Sequence, residues 1–275
     1  MSDERPHGVW AGSSLLGHRA LITGAGRGLG EEMARSLAAA GCGVVITDIN
    51  ADAAKQVAAS IGGNCMSYGV DVRDPAAVRD LAREVLAAGD LSIVVNNAGI
   101  NKVSPTADLA LADWEDVLAV NLTGMFLVCQ AFGPALAQAG RGSIVNVGSM
   151  MSVLGSPGRV AYASTKAGVV GLTMTLAVEW GHAGVRVNAI LPGWIDAPMF
   201  HRVARSGAID ETHLLERIPA ARFGRAREVA DLVVFLCSDA STYINGQAIA
   251  VDGGYVANGS PVTVSNWAEG RGRPA

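Results

Sequence analysis

Aromatic side chains are scarce in this chain: five Phe, five Trp and four Tyr among 275 residues, or 5%. Charged side chains are also few, at 17%, while half of all residues are hydrophobic. A core must therefore be built from Ala, Val, Leu and Ile, the composition of a helix-covered parallel sheet. No run of Lys and Arg occurs and the net charge is −4, which excludes nucleic acid as the main partner, because phosphate binding needs clustered cations. Cysteine is rare, and Cys42, Cys65, Cys129 and Cys237 lie far apart without CxxC spacing. They read as reduced core thiols of a cytoplasmic protein. The opening residues lack the basic start and apolar stretch of a signal peptide. The longest apolar segment, Gly168 to Val178, is about half of the ~20 residues that a membrane span requires, so no membrane partner is expected.

What is present is a recurrence of apolar runs of strand length: "ALIT" (20–23), "VVIT" (44–47), "CMSYGV" (65–70), "LSIVVN" (91–96), "SIVNV" (143–147), "VRVNAI" (185–190) and "QAIAV" (247–251). Helical segments separate them, such as the one carrying Leu29, Met33 and Leu37 at a spacing of four. Strands alternating with helices predict an α/β fold: one doubly wound, Rossmann-type parallel sheet of about seven strands with helices on both faces. No repeat or linker divides the chain. The expected organisation is an N-terminal arm (1–17), one domain (18–257) and a polar tail (258–275).

Between the first strand and the first helix lies "TGAGRGLG", residues 23–30, with four glycines in eight positions. A strand, a glycine loop and a helix in that order offer backbone N–H groups to a phosphate. The spacing fits neither the P-loop pattern nor GxGxxG, since Leu29 interrupts the latter; it reads TGxxxGxG. Eighteen residues past Gly30, Asp48 ends the second strand, where a carboxylate can accept hydrogen bonds from an adenosine ribose. The competing role, capping the next helix, falls more naturally to Asn50. A carboxylate at ~4 Å from a 2′-phosphate would cost about 4 kcal/mol at an effective dielectric near 20, which favours NAD over NADP. Arg27 acts in the opposite direction.

Farther on, Ser149 follows a strand, and Tyr162 and Lys166 stand four apart in "YASTK", one turn apart on one helix face. Each alone would be an ordinary surface or core residue. Together with the glycine loop, Asp48, "NNAG" (96–99), Asn121 in "AVNLTG", "PGWIDAPM" (192–199) and "INGQAIAVDGGY" (244–255), they closely resemble the short-chain dehydrogenase/reductase family over about residues 17–256.

The resemblance implies that Tyr162 is a general acid/base, that Ser149 hydrogen-bonds the substrate oxygen, and that Asn121 anchors a water linking Lys166 to solvent. Lys166 and the cationic nicotinamide would lower the Tyr162 pKa by charge, and Lys166 would hold the nicotinamide ribose. Thr23, Gly24, Arg27, Gly28, Leu29 and Gly30 would cradle the pyrophosphate, Asp48 the adenosine ribose, Asp71 and Val72 the adenine, and Asn97, Ala98 and Gly99 the adenosine ribose. Pro192, Gly193 and Ile195 would lie against the nicotinamide. Ala197 stands where relatives commonly carry a Thr that touches the cofactor.

The implied activity is NAD-dependent interconversion of a secondary alcohol and a ketone, with a polyol or sugar-like substrate preferred over a hydroxy acid or an acyl chain. The alternatives are an NADP-dependent 3-oxoacyl thioester reductase and a non-catalytic NAD-binding module. His201 and His213 have no Cys, Asp or Glu partners at ligand spacing, so no metal is expected. Met150 and Met151 suit core filling and substrate lining equally, and Trp194 could wall the pocket. The segment "REVADLVVFLCSD" (227–239) is apolar around most of its circumference, which together with the family resemblance predicts a homotetramer.

Overall fold

A computed structural model of the chain describes residues 14–197 and 211–259. All seven apolar runs form strands: β1 (Arg19–Thr23), β2 (Gly43–Asp48), β3 (Cys65–Gly69), β4 (Ile93–Asn96), β5 (Gly142–Val147), β6 (Val185–Pro192) and β7 (Ala248–Val251). They make one parallel sheet in the order β3-β2-β1-β4-β5-β6-β7. The strands read as continuous apolar runs because both faces of the sheet are covered. Ala20, Ile22, Val44, Ile46 and Val145 point to one side, and Leu21, Val45, Val94 and Ile144 to the other, each set inside its own core cluster. That alternation is the two-residue period of a strand.

The first face is covered by α1 (Gly28–Ala39), α2 (Ala51–Ile61) and α8 (Ala226–Cys237). In α1 the expected stripe is met by buried Met33, Ala34 and Leu37, with Leu29 half-buried beside them. Asn50 caps α2, its side chain accepting from the Ala53 amide at 3.1 Å. Helix α8 packs on α1 and buries Val229, Ala230, Val233 and Leu236. Its second apolar face, with Leu232, Val234 and Phe235, is already partly covered by the same core.

The other face carries α3 (Pro75–Ala87), α5 (Gly124–Gln138) and α6 (Val160–Gly181). Gly133 of α5 leaves room for the Trp180 ring of α6, against which any Cβ would collide. A shorter α4 (Leu111–Leu118) runs into α5 through a π-helical turn, Ala119–Thr123. The combined stretch, Leu111–Gln138, contains an 18-residue window of mean hydropathy 1.5, so it is longer than the 168–178 segment and apolar enough to cross a membrane by length and composition alone; 44% of that window is buried within the molecule. Helix α7 (Glu211–Arg217) and a two-residue parallel ribbon, Ile195–Asp196 with Gly224–Arg225, lie beyond the end of β6. Cys42, Cys129 and Cys237 are free and buried, and burial pushes each thiol up to about 12.

Candidate active site

The chain reverses its direction of winding between β1 and β4: β2 and β3 lie on one side of β1, and β4 and its successors on the other. At such a point the loops leaving adjacent strands part and open a crevice at their carboxyl ends. The singled-out residues follow strand ends there: the glycine loop after β1, Asp48 at the end of β2, Asn97 to Gly99 after β4, Ser149 after β5, and Pro192 to Ile195 at and after the end of β6.

Two of the loop glycines turn the backbone, Gly24 at φ +63° and Gly28 at φ +61°. The other two admit parts of the protein itself. A Cβ on Gly26 would stand 2.9 Å from Asp48 Oδ2, and one on Gly30 would strike the Gly24 carbonyl and the Asn97 amide. Thr23 is buried, and its hydroxyl accepts from the Asn97 and Ala98 amides at 3.0 and 3.1 Å. Asn97 returns the contact, donating to the Thr23 and Gly24 carbonyls at 3.0 and 2.9 Å. Thr23 and Asn97 thus hold the loop against the end of β4.

Helix α1 begins without a side-chain cap, behind the exposed Arg27. An uncapped twelve-residue helix whose first turn faces a glycine loop suits a diphosphate, and half-buried Asp48 one strand away suits a ribose. Asp48 is itself fixed: Oδ2 accepts from the Gly26 amide at 2.9 Å and Oδ1 from the Asn50 amide at 3.0 Å. The residues present therefore fit a dinucleotide. Asp71 faces a different partner, Arg73 at 2.7 Å, whose hydrogen bonds lower the carboxyl pKa; Val72 is buried beneath Gly124.

Ser149, just after β5, and Tyr162, in the first turn of α6, come close enough for the serine hydroxyl to act on the phenol. The Ser149 Oγ also accepts from the Met151 amide at 3.1 Å, so its proton is left to point toward the phenol or a substrate oxygen. Burial raises the Tyr162 pKa, while the Ser149 hydrogen bond and the charge of Arg159 act to lower it. Lys166, to which the family resemblance also gives a cationic role, is 3% exposed; its ammonium donates to the Val147 carbonyl at 2.6 Å, with Nζ 5.5 Å from the centre of the Tyr162 ring. Desolvation lowers its pKa to about 8.

Asn121 sits inside the π turn, fully buried. Its Oδ1 accepts from the Ile100 amide at 2.8 Å, and its Nδ2 donates to the Ile100 carbonyl at 2.9 Å. The side chain is thus committed to clamping the loop after β4. Gly99 lies between the two: a Cβ there would be 3.4 Å from Asn121 Oδ1 and 3.8 Å from Lys166 Nζ.

Several supporting residues carried no signal in the sequence. The Ser152 hydroxyl accepts from the Ser149 amide at 3.2 Å and donates to the Lys166 carbonyl at 2.7 Å, tying the two elements together. A buried chain runs from Asn96 Nδ2 to Asn146 Oδ1 and from Asn146 Nδ2 to Thr173 Oγ1, each at 2.9 Å, fastening α6 to β4 and β5.

At the end of β6, Gly193 permits close approach of Asp252, 2.6 Å from where a Cβ would be. The Ile195 side chain is buried in the main core, with Ala197 packed against it. Met150 and Met151 join Leu214, Ile218 and Tyr255 in a small cluster that Tyr162 and Trp194 border, and Trp194 meets Tyr255 edge-on at 6.4 Å. The methionines therefore flank Tyr162. His201 and residues 198–210 lie outside the described residues, as does the side chain of His213.

Residues 24–256 match the family model described as enoyl-(acyl carrier protein) reductase. The chain is 41% identical over 245 residues to D-threitol dehydrogenase of Mycolicibacterium smegmatis, covering 88% of this chain and 94% of that protein. It is 39% identical over 246 residues to a 3-oxoacyl-acyl-carrier-protein reductase of Thermotoga maritima, covering 88% and 99%. A solved gluconate 5-dehydrogenase from Burkholderia cenocepacia, in complex with NADP and tartrate, matches at a TM-score of 0.85 and 36% identity over 90% of this chain and 98% of that one.

Proposed function

We propose, from the premise that this chain belongs to the short-chain dehydrogenase/reductase family of NAD(P)-dependent oxidoreductases, that it interconverts a secondary alcohol and a ketone on a polyol or sugar-like substrate, with NAD. The observation that carries the reading is the meeting of Ser149, Tyr162 and Lys166 beside the glycine crevice. The names of the threitol and gluconate dehydrogenases support a polyhydroxylated substrate.

When bound, the nicotinamide supplies the hydride chemistry. The protein supplies orientation, proton handling and electrostatics. Tyr162 takes the hydroxyl proton in oxidation and returns it in reduction, and Ser149 donates to the same oxygen as negative charge develops there. Lys166 would hold the nicotinamide ribose, and Asn121 would anchor a water linking Lys166 to solvent, by which the proton leaves. Thr23, Gly24, Arg27, Gly28, Leu29 and Gly30 form the pyrophosphate cradle, Asp48, Asn97, Ala98 and Gly99 flank the adenosine ribose, Asp71 and Val72 border the adenine, and Pro192, Gly193 and Ile195 the nicotinamide.

Asp48 supports NAD, because its carboxylate would face a 2′-phosphate. The Burkholderia neighbour holds NADP, so the preference rests on this side chain in this chain. Exposed Phe126, Met174 and Val178 on α5 and α6 support a homotetramer, and the free cysteines support a place in the cytoplasm.

The Thermotoga relative and the matched family model favour a second reading, an NADP-dependent thioester reductase. Initial rates on alditols, aldonates and 3-oxoacyl thioesters, each with both cofactors, separate the two. Turnover confined to thioesters with NADPH would replace the first reading by the second.

A further inference from the structure

The last residue before α6 is an arginine whose charge reaches the Tyr162 phenol but to which the mechanism gives no ligand. Arg159 is 8% exposed. Its guanidinium makes no hydrogen bond or ion pair among the described residues, and its one charged or titratable neighbour there is Tyr162. Burial of so polar a cation without a counter-charge is costly, and such groups are normally paired.

The side chain is also firmly based. The Gly158 carbonyl accepts from the Ser104 amide at 3.0 Å, and the Arg159 carbonyl accepts from the Ala163 amide at 2.8 Å. One side of this base is thus pinned to the loop after β4, and the other to the first turn of α6. Arg159 is the N-cap of α6, three residues before Tyr162 in the first turn, and its charge acts on that phenol.

We propose that Arg159 anchors a carboxylate on the substrate, so that the site selects an aldonate or similar hydroxy acid over a neutral polyol. The proposal rests on the alcohol dehydrogenase reading given above. A guanidinium is a fork of donors matched to a carboxylate, and a substrate carboxylate supplies the counter-ion that the protein withholds. A phosphate ester fits less well, because a dianion is ordinarily met by more than one cation, and Lys166, the other buried cation beside Tyr162, is turned to the Val147 carbonyl.

The test compares an aldonate, the alditol of the same configuration and that alditol's terminal phosphate, using NAD with the wild type, Arg159→Met and Arg159→Lys. The readout is the ratio of kcat/KM for aldonate to that for alditol, from which any general effect of Arg159 on Tyr162 cancels. The wild-type ratio should be well above one. It should fall about a hundredfold in Arg159→Met, the size of a lost charge-assisted hydrogen-bonded pair, and less in Arg159→Lys, which keeps the charge without the fork. An unchanged ratio in Arg159→Met, equal wild-type rates on aldonate and alditol, or a preference for the phosphate would each overturn the proposal. Should Arg159→Met fail to fold, the Arg159→Lys ratio decides in the same way. If no form turns over any of the three compounds, the dehydrogenase reading fails instead. The anchor is then judged by binding: aldonate-dependent quenching of bound NADH fluorescence that is strong in the wild type and weaker in Arg159→Lys supports it, and no aldonate binding to the wild type, or equal binding to both, overturns it.

Discussion

Lys166 Nζ lies 5.5 Å from the centre of the Tyr162 ring yet gives its hydrogen bond to the Val147 carbonyl, at 2.6 Å. The ammonium is therefore held by the sheet and charged at a cost. With its pKa lowered from 10.5 to about 8, the folded protein binds fewer protons than the unfolded chain between those values, so stability rises with pH across that window. Between pH 7.5 and 9.5 the wild type should gain about 2 kcal/mol relative to Lys166→Met in urea unfolding. A difference that does not change with pH would mean that the ammonium is solvated.

Tyr162→Phe removes the group that exchanges the proton and leaves the ring in place. Turnover should fall by at least about a thousandfold, while NADH affinity, measured by fluorescence, changes little. A variant that keeps its rate would show that another group handles the proton.

Asp48→Asn retains the shape that meets the Gly26 amide but not the charge. The NAD to NADP ratio of kcat/KM should fall at least about tenfold, the direction set by relief of charge repulsion at the 2′ position. An unaltered ratio would locate cofactor choice at Arg27 or elsewhere.

Ser152→Ala cuts the link between the Ser149 amide and the Lys166 carbonyl. We expect kcat to drop about tenfold with KM for NAD nearly constant, since misplacement of reacting groups is felt in the chemical step. Equal losses in kcat and in cofactor binding would instead point to a general loosening of α6.

Asn146→Ala leaves Asn96 and Thr173 without their shared partner in the interior. The loss in unfolding free energy should be about 2 kcal/mol, the size expected for two lost buried hydrogen bonds, since Asn96 keeps the Cys129 sulfur and Thr173 the Val169 carbonyl. A change below about 0.5 kcal/mol would mean that water replaces the amide.

Much of this architecture was legible beforehand, for reasons that differ by element. Strands such as "VVIT" and "SIVNV" carry apolar residues at successive positions, with no polar alternation, because both faces of the sheet are covered, and the spacing of Met33 and Leu37 follows from one buried face of α1. Ser149, Tyr162 and Lys166 could be found because they follow a strand and share a helix face. Their partners could not. Asn146 meets Thr173 27 positions away and Asn96 50 positions away, and no periodicity encodes such pairs. Nor could spacing tell that Arg159 would bring a second charge to bear on the phenol, because that depends on which way a flexible chain turns once buried.

The π turn at Ala119–Thr123 makes this part of the chain sensitive to residue count more than to residue type. Such a turn holds one residue in excess of a regular helix. Removing any one of the five would let the hydrogen-bond ladder close up and rotate α4 by about 100° relative to α5. Either Asn121 would then leave Ile100, or α4 would leave its seat on α6. Variation in this family member should thus tolerate exchanges around the turn far better than a single-codon deletion within it.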